Sequence, residues 1–197
     1  MKAYYDARAR EYDDWVYGTG LFADRDRPEW HEERERLQQA LEELPPARTL
    51  DAACGTGWLT QHLPGEIVGL DASESMLEVA RERVPDGEFV VGDALSLPFT
   101  DQSFERLLTG HFYGHLEEPE RVRFLVEARR VAAEVVVVDS ALHEGVEPQQ
   151  WQERVLNDGS SWQVFKRYFT GDELISELGG GDVYFAGNWF LVVRSSA

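Results

Sequence analysis

The chain has one cysteine, Cys54, two lysines, Lys2 and Lys166, and no apolar run near the ~20 residues that cross a bilayer. A single cysteine excludes an internal disulfide framework, so a reducing cytoplasm is the expected location. The opening stretch MKAYYDARAREYDDW lacks the apolar run of a signal peptide, and none is expected. Positive charge is also scarce: 19 basic residues stand against 37 acidic ones, for a net charge of −18. No basic stripe offsets that field, so duplex DNA and structured RNA are excluded as expected partners in favour of a small molecule. The acidity itself identifies no substrate and is read as a solubilising surface. Repeats and low-complexity tracts are missing too. What remains is 197 residues with 43% hydrophobic content, the profile of one globular domain.

Charge and aromatic residues dominate positions 1–46. Leu37, Leu41 and Leu44 recur at helical spacing until Pro45–Pro46 stops the helix. Two helical segments, broken near Gly18–Gly20, are therefore expected there. Beyond Pro46, short apolar runs alternate with helical stretches. Strands are expected at RTLDAAC (48–54), EIVGLDA (66–72), GEFVVGDA (87–94), SFERLLTGH (103–111) and EVVVVDSAL (134–142). A short helix to Leu63 follows the first, and SESMLEVARERV and EPERVRFLVEARRVA are helices. This alternation predicts an α/β fold with a parallel sheet covered by helices on both faces. In the last third, Thr170 and Glu173 have capping-box spacing and Gly179 stops the helix. DVYFAG and WFLVVRS then flank a turn at Gly187–Asn188 as a hairpin, which places one strand antiparallel to the rest.

The chemical signal lies in LDAACGTGWL (50–59). A strand running into Gly55-x-Gly57 and then a helix presents backbone N–H groups to a ligand with no side chain between. A dinucleotide fingerprint wants a third small residue where Thr60 stands, and no Tyr precedes either lysine by four residues. Both absences argue against a nicotinamide oxidoreductase. Asp71 ends the second strand, where a ribose presents two hydroxyls, and Asp93 ends the third, where an adenine edge can be read. Three acids at three strand tips suit a ligand with a ribose, an adenine and a cationic end.

LDAACGTGWL, VGLDASESML, GDALSLPF and SFERLLTGHFYGHL resemble, in order and spacing, the class I S-adenosylmethionine-dependent methyltransferases, in a branch like that of quinone biosynthesis. The resemblance covers residues ~48–140 and implies a Rossmann-like sheet of seven mostly parallel strands in the order 3-2-1-4-5-7-6, closed by the C-terminal antiparallel hairpin. It divides a single domain, 1–197, into an N-terminal helical lid (1–46), a cofactor core (47–142), a substrate-side insertion (143–169) and a closing helix and hairpin (170–197). It implies S-adenosylmethionine as cofactor, S-adenosylhomocysteine as product and a small-molecule methyl acceptor. Asp51, Ala53, Gly55, Thr56 and Gly57 are implied at the methionine side, Asp71 at the ribose, Ala72 and Met76 beside the adenosine, and Asp93 and Ala94 at the adenine. The carbonyl of Thr109 is implied to face the methionine ammonium. Tyr4 and Tyr12, with Trp15, match the family's lid, where aromatic faces suit a sulfonium; simple packing of an N-terminal helix is the other reading.

Two departures stand out. Phe104-Glu105-Arg106 replaces a Phe-Asp-apolar run and is read as a surface variation. Gly114–His115 replaces a pair of adjacent histidines. Methyl transfer needs a base only if the acceptor must lose a proton. His111 is the first candidate and His115 the second; either ring alternatively shapes the pocket wall. Their i, i+4 spacing suits a metal pair only on a helix, and no further ligand completes a set, so no metal is expected. His111, Tyr113, Trp151, Arg154 and Tyr168 are the expected acceptor-side residues. Arg154, Lys166 and Arg167 either bind an anionic group on the acceptor or pair with surface acids. A non-catalytic module that holds S-adenosylmethionine or S-adenosylhomocysteine is the alternative to an enzyme. Nothing in the sequence sets an oligomeric state.

Overall fold

The computed structural model describes residues 2–196. Among the described residues nine strands form: β1 (Ala47–Ala52), β2 (Gly65–Asp71), β3 (Glu88–Val91), β4 (Phe104–Gly110), β5 (Ala132–Ser140), β6 (Gln149–Val155), β7 (Ser161–Arg167), β8 (Asp182–Ala186) and β9 (Phe190–Ser196). Seven build one sheet in the order β3-β2-β1-β4-β5-β9-β8, and β6 and β7 make a separate two-stranded ribbon. With the ribbon set aside, this is the expected order. The last two strands only take higher numbers. β1 to β5 run parallel, and β9 lies antiparallel to both β5 and β8.

The helices are α1 (Lys2–Arg8), α2 (Asp14–Tyr17), α3 (Trp30–Glu42), α4 (Glu74–Arg83), α5 (Glu118–Val131) and α6 (Gly171–Glu177). The expected helix before Leu63 is a single 3-10 turn, Thr60–His62. Capping chemistry sets several ends. Ser73 accepts the Met76 N–H at the start of α4, and Thr170 and Glu173 cap α6 reciprocally. Among the described residues no helix is long and apolar enough to cross a membrane.

The apolar run of β5 shows why the sheet is buried twice. Val135 and Val137 pack beneath α5 and α6 with Phe124, Ala128 and Leu174. Val136 and Val138 face the opposite layer, with Trp30, Leu37 and Leu41 of α3. A strand alternates its side chains between faces, so a continuous valine run reads as covered on both.

One local reading is corrected, and the insertion acquires a structure. Arg106 is not a surface variation: it is buried, its Nε donates to Glu134 at 2.5 Å and its guanidinium to the Pro45 carbonyl at 3.0 Å. Arg194 approaches the same carboxylate at 2.6 Å, so one acid ties β4, β5 and β9. The insertion is the ribbon β6–β7. Its turn signal, Asn157-Asp158-Gly159 with Gly159 at φ +82°, sits between two alternating strands.

A buried ion pair anchors the ribbon. Lys166 on β7 donates to Asp139 on β5 at 2.5 Å. The other carboxylate oxygen accepts the Gly114 N–H at 2.7 Å. Removing one member of a buried pair strands the other charge. Lys166→Ala should therefore cost about 3–5 kcal/mol of stability, measured by denaturant unfolding; a loss below about 1 kcal/mol would mean the ribbon is held by other contacts.

Candidate functional site

β1 ends in a turn that takes three left-handed backbone positions, two of them glycine. Ala53, Gly55 and Gly57 all have positive φ, at +61°, +55° and +73°. A Cβ on Gly57 would lie 3.2 Å from that of Ala80, so the loop sits directly on α4. Asp71, at the end of β2, accepts the Gly55 N–H at 2.9 Å on one oxygen and the Ser73 N–H at 2.9 Å on the other. A carboxylate has about four lone-pair sites, so acceptor capacity remains for a ligand. Burial pushes this carboxyl up, and the backbone donors oppose it. Asp93 follows β3 and accepts the Leu95 N–H at 2.9 Å.

These elements enclose a cavity of about 190 Å³ at the carboxyl end of the sheet. Of the residues the sequence singled out, Tyr12, Ala53, Gly55, Asp71, Ala72, Asp93 and Ala94 line it, with His111 and His115. Asp51 and Thr56 line a smaller adjoining cleft with Trp15 and Trp58. Four expected cofactor residues line neither. Tyr4 is buried on the other side of α1, accepting from Arg8 at 2.7 Å and packing on Trp162, and Tyr5 takes its place at the cavity. Spacing could not choose within a Tyr-Tyr pair, because the rotation of a short helix is set by what it packs on. Met76 is wholly buried on the inner face of α4, and Gly57 packs on that helix. Thr109 is wholly buried too, its hydroxyl donating to the Ala52 carbonyl at 2.8 Å.

The N-terminal segment is latched across this cavity. Ser73 donates to Asp6 at 2.6 Å, Thr56 donates to Asp13 at 2.7 Å, and Arg83 pairs with Asp13 at 2.6 Å. Tyr5 and Tyr12 thereby become cavity wall. Sequence alone carried no sign of these contacts, which join residues 43 to 70 positions apart.

A second cavity, of about 160 Å³, shares Tyr12, His111 and His115 with the first. Arg154 and Tyr168 of the ribbon line it as expected. Arg8, Arg25 and Arg27 also line it, and the sequence reading missed them because nothing local marks them. Two expected residues are elsewhere. Trp151 is 60% exposed on the ribbon, edge-on to Phe165. Tyr113 is buried and donates to Glu177 at 2.9 Å. That carboxylate also pairs with Arg121 and Arg167, so Arg167 has the acid partner that the alternative reading gave it.

The loop after β4 is tightly determined. His111 has φ +53°, a left-handed conformation that histidine tolerates better than most residues. Its ring stands edge-on to Trp15 at 4.7 Å and near Phe190 at 5.7 Å, and its Nε2 has no hydrogen-bond partner. His115 Nδ1 meets the Phe165 carbonyl at 2.6 Å. A carbonyl only accepts, so that nitrogen carries the proton and Nε2 keeps its lone pair. Burial depresses both imidazoles, His111 to about 4 and His115 to about 3, with Lys166 adding to the effect. Both rings are neutral at pH 7. Gly114 has its own explanation: a Cβ there would lie 2.6 Å from the Arg167 carbonyl and 2.9 Å from Asp139. A histidine at this position has no room while the ribbon is docked. Among the described residues no three His, Cys, Asp or Glu side chains cluster as a metal site.

Asp51 is buried and hydrogen-bonded by the Thr60 hydroxyl at 2.6 Å, which gives Thr60 a role where a glycine is otherwise expected. Burial raises its carboxyl to about 7, against the Thr60 bond, with Asp71 adding to the rise. The folded protein therefore holds a proton that the unfolded chain releases near pH ~4. This contribution to stability is full below pH ~4 and is lost as pH rises to about 7. Asp51→Asn should flatten that fall. Thermal melts from pH 5 to 8 should show the variant gaining on the wild type as pH rises, and parallel curves would show that Asp51 does not titrate there.

Residues 49–134 match a family described as a methyltransferase domain. Among curated proteins, the chain is 43% identical over 103 residues to the demethylmenaquinone methyltransferase of Thermotoga maritima, covering 50% of this chain and 44% of that protein. It is 36% identical over 113 residues to the Bacillus subtilis enzyme of the same name, covering 52% and 46%. The chain thus spans less than half the length of these relatives. Among solved structures, a DhpI complex with SAH is 25% identical, with a TM-score of 0.73 over 98% of this chain and 92% of that one. A DhpI complex with SAM and HEP is 26% identical, with a TM-score of 0.71 over 98% and 94%. The PH0226 protein of Pyrococcus horikoshii, 21% identical with a TM-score of 0.70, shares the fold over the full chain.

Proposed function

We propose that this chain, whose residues 49–134 match a methyltransferase domain, is a class I S-adenosylmethionine-dependent methyltransferase that transfers a methyl group to a small-molecule acceptor bound in the second cavity. The observation that carries this reading is the meeting of two cavities at Tyr12, His111 and His115. One has the acids of successive strand tips, and the other is reached through the same three side chains.

The residues present fit the cofactor. Asp71 has unused acceptor capacity beside the Gly55 turn, as a ribose diol requires, and Asp93 and Ala94 line the same cavity, where in this reading they meet the adenine edge. Tyr12 and Trp15 offer π-faces, and the acids favour a cationic ligand. When bound, S-adenosylmethionine supplies an activated methyl on a sulfonium, with a neutral thioether as leaving group. The chain's part is to align the acceptor and exclude water, which contributes much of the rate of such a displacement. The segment that holds Tyr5 and Tyr12 acts as the lid.

The imidazoles act by position more than by basicity. A ring with a pKa near 4 accepts a proton weakly at neutral pH, so His111 and His115 assist mainly by offering nitrogen atoms to the acceptor. The names of the curated relatives support a quinone-like acceptor as one member of the small-molecule class.

Two measurements test this. Asp71→Asn keeps the shape of the side chain and removes its charge, and should weaken S-adenosylmethionine binding by ~1.5–3 kcal/mol. Unchanged affinity by calorimetry would remove the cofactor assignment. His111→Asn places a side chain suited to left-handed backbone at that turn; turnover should fall by about tenfold or more while S-adenosylhomocysteine affinity holds. Full activity across the pH range would leave His111 as wall alone. Cofactor binding with no labelled product from any acceptor mixture would instead favour a non-catalytic binding module.

A further inference from the structure

We propose that the acceptor carries an oxyanion, a phosphate, phosphonate or carboxylate group, held by the arginines of the second cavity. This rests on the reading of the first cavity as the cofactor site and identifies the substrate class.

The chain has 37 acidic residues against 19 basic ones, yet no aspartate or glutamate lines the second cavity. Its charged lining is Arg8, Arg25, Arg27, Arg154 and Lys166. Lys166 is neutralised by Asp139. The four arginines are not: among the described residues none has a carboxylate at ion-pair distance, although arginines elsewhere in the fold, such as Arg83, Arg106 and Arg121, do.

Their contacts hold them in place without cancelling charge. Arg8 donates to the Tyr4 hydroxyl and Arg27 to the Trp15 carbonyl at 2.7 Å each, and Arg154 donates to the Gln152 side chain. Arg8 and Arg25 face the same Phe22 ring, at 5.8 and 4.3 Å from its centroid. Arg27 lies over Trp30 at 3.9 Å. Partial burial, together with the proximity of Arg154 and Arg8, makes the Arg25 guanidinium easier to deprotonate than usual, the mark of like charges gathered without a counter-charge. A neutral acceptor would leave this repulsion in place. An oxyanion relieves it through charge-assisted, fork-shaped hydrogen bonds of the kind guanidinium groups make best. The unpartnered Nε2 of His111, buried where both cavities meet, donates a further hydrogen bond to the oxyanion in the tautomer that carries its proton there.

The test is a calorimetric titration of the protein, saturated with S-adenosylhomocysteine, with methylphosphonate in phosphate-free buffer, and with benzoate in parallel. Binding of either anion is expected, weakened about tenfold or more in the Arg25→Gln/Arg154→Gln double variant and by added salt. S-adenosylhomocysteine should bind the double variant as it binds the wild type, which shows that the variant is folded. If the product binds but neither anion does, or if the variant binds the anions equally well, the oxyanion proposal is overturned and the cofactor reading stands. If S-adenosylhomocysteine fails to bind the wild type, the cofactor reading itself falls. Labelled methyl transfer that prefers 4-hydroxyphenylphosphonate over a neutral naphthoquinol, and is inhibited by inorganic phosphate, would support the same conclusion by activity; the reverse preference would overturn it.

Discussion

The buried pair between Asp139 and Lys166 is the contact on which the site depends. One oxygen of Asp139 takes the Lys166 ammonium and the Ser140 N–H, and the other takes the Gly114 N–H. A single carboxylate thus joins β5, the ribbon and the loop that bears both histidines. Burial alone would push this carboxyl up, and the Lys166 ammonium together with His111 and His115 outweighs that, holding it below the usual carboxylate range. A buried pair of this kind adds little net stability over an apolar packing, but it defines one arrangement, because any displacement strands a charge. The consequence is visible at Gly114, where the docked ribbon leaves no space for a Cβ, and at His115, whose ring is fixed by the Phe165 carbonyl.

Around that anchor the molecule separates charge. Its surface is acidic overall, and the first cavity is acidic too, with Asp71, Asp93 and Glu120 in its lining. The adjoining cavity reverses the sign. Net charge describes the long-range field, which salt screens within ~10 Å at ordinary ionic strength. Inside a partly desolvated cleft, the nearest groups decide what binds. A cationic cofactor and an anionic acceptor would each meet its complement, and the two would attract across the shared wall of Tyr12, His111 and His115.

The legible part of the fold was the part written in local pattern. Apolar runs alternating with helical stretches, the valine run of β5 and the capping box at Thr170 gave the seven strands of the main sheet, their burial and the limits of α4 and α5 within one or two residues. The Gly55-x-Gly57 turn and the acids at strand tips were legible for the same reason, since a turn needs particular residues at particular spacings. Arg106 was misread because its partners, Glu134 and Pro45, are distant in sequence. Tyr5 was missed beside Tyr4, since only packing fixes which side of α1 faces the cavity. The ribbon was legible in principle, through Asn157-Asp158-Gly159 between alternating residues.

By itself, then, the sequence determined the strand–turn–helix core and the acids at its strand tips. These depend on backbone preference and short periodicity, which act over a few residues. Only the tertiary structure decided the second cavity. Arg8, Arg25 and Arg27 come from the N-terminal segment, and Arg154 comes from a ribbon well over a hundred residues later. They line one cavity because the ribbon docks on Asp139 and the N-terminal segment is latched to Thr56, Ser73 and Arg83. Charges that look scattered in an acidic sequence become one cationic surface only when long-range contacts set the distances between them.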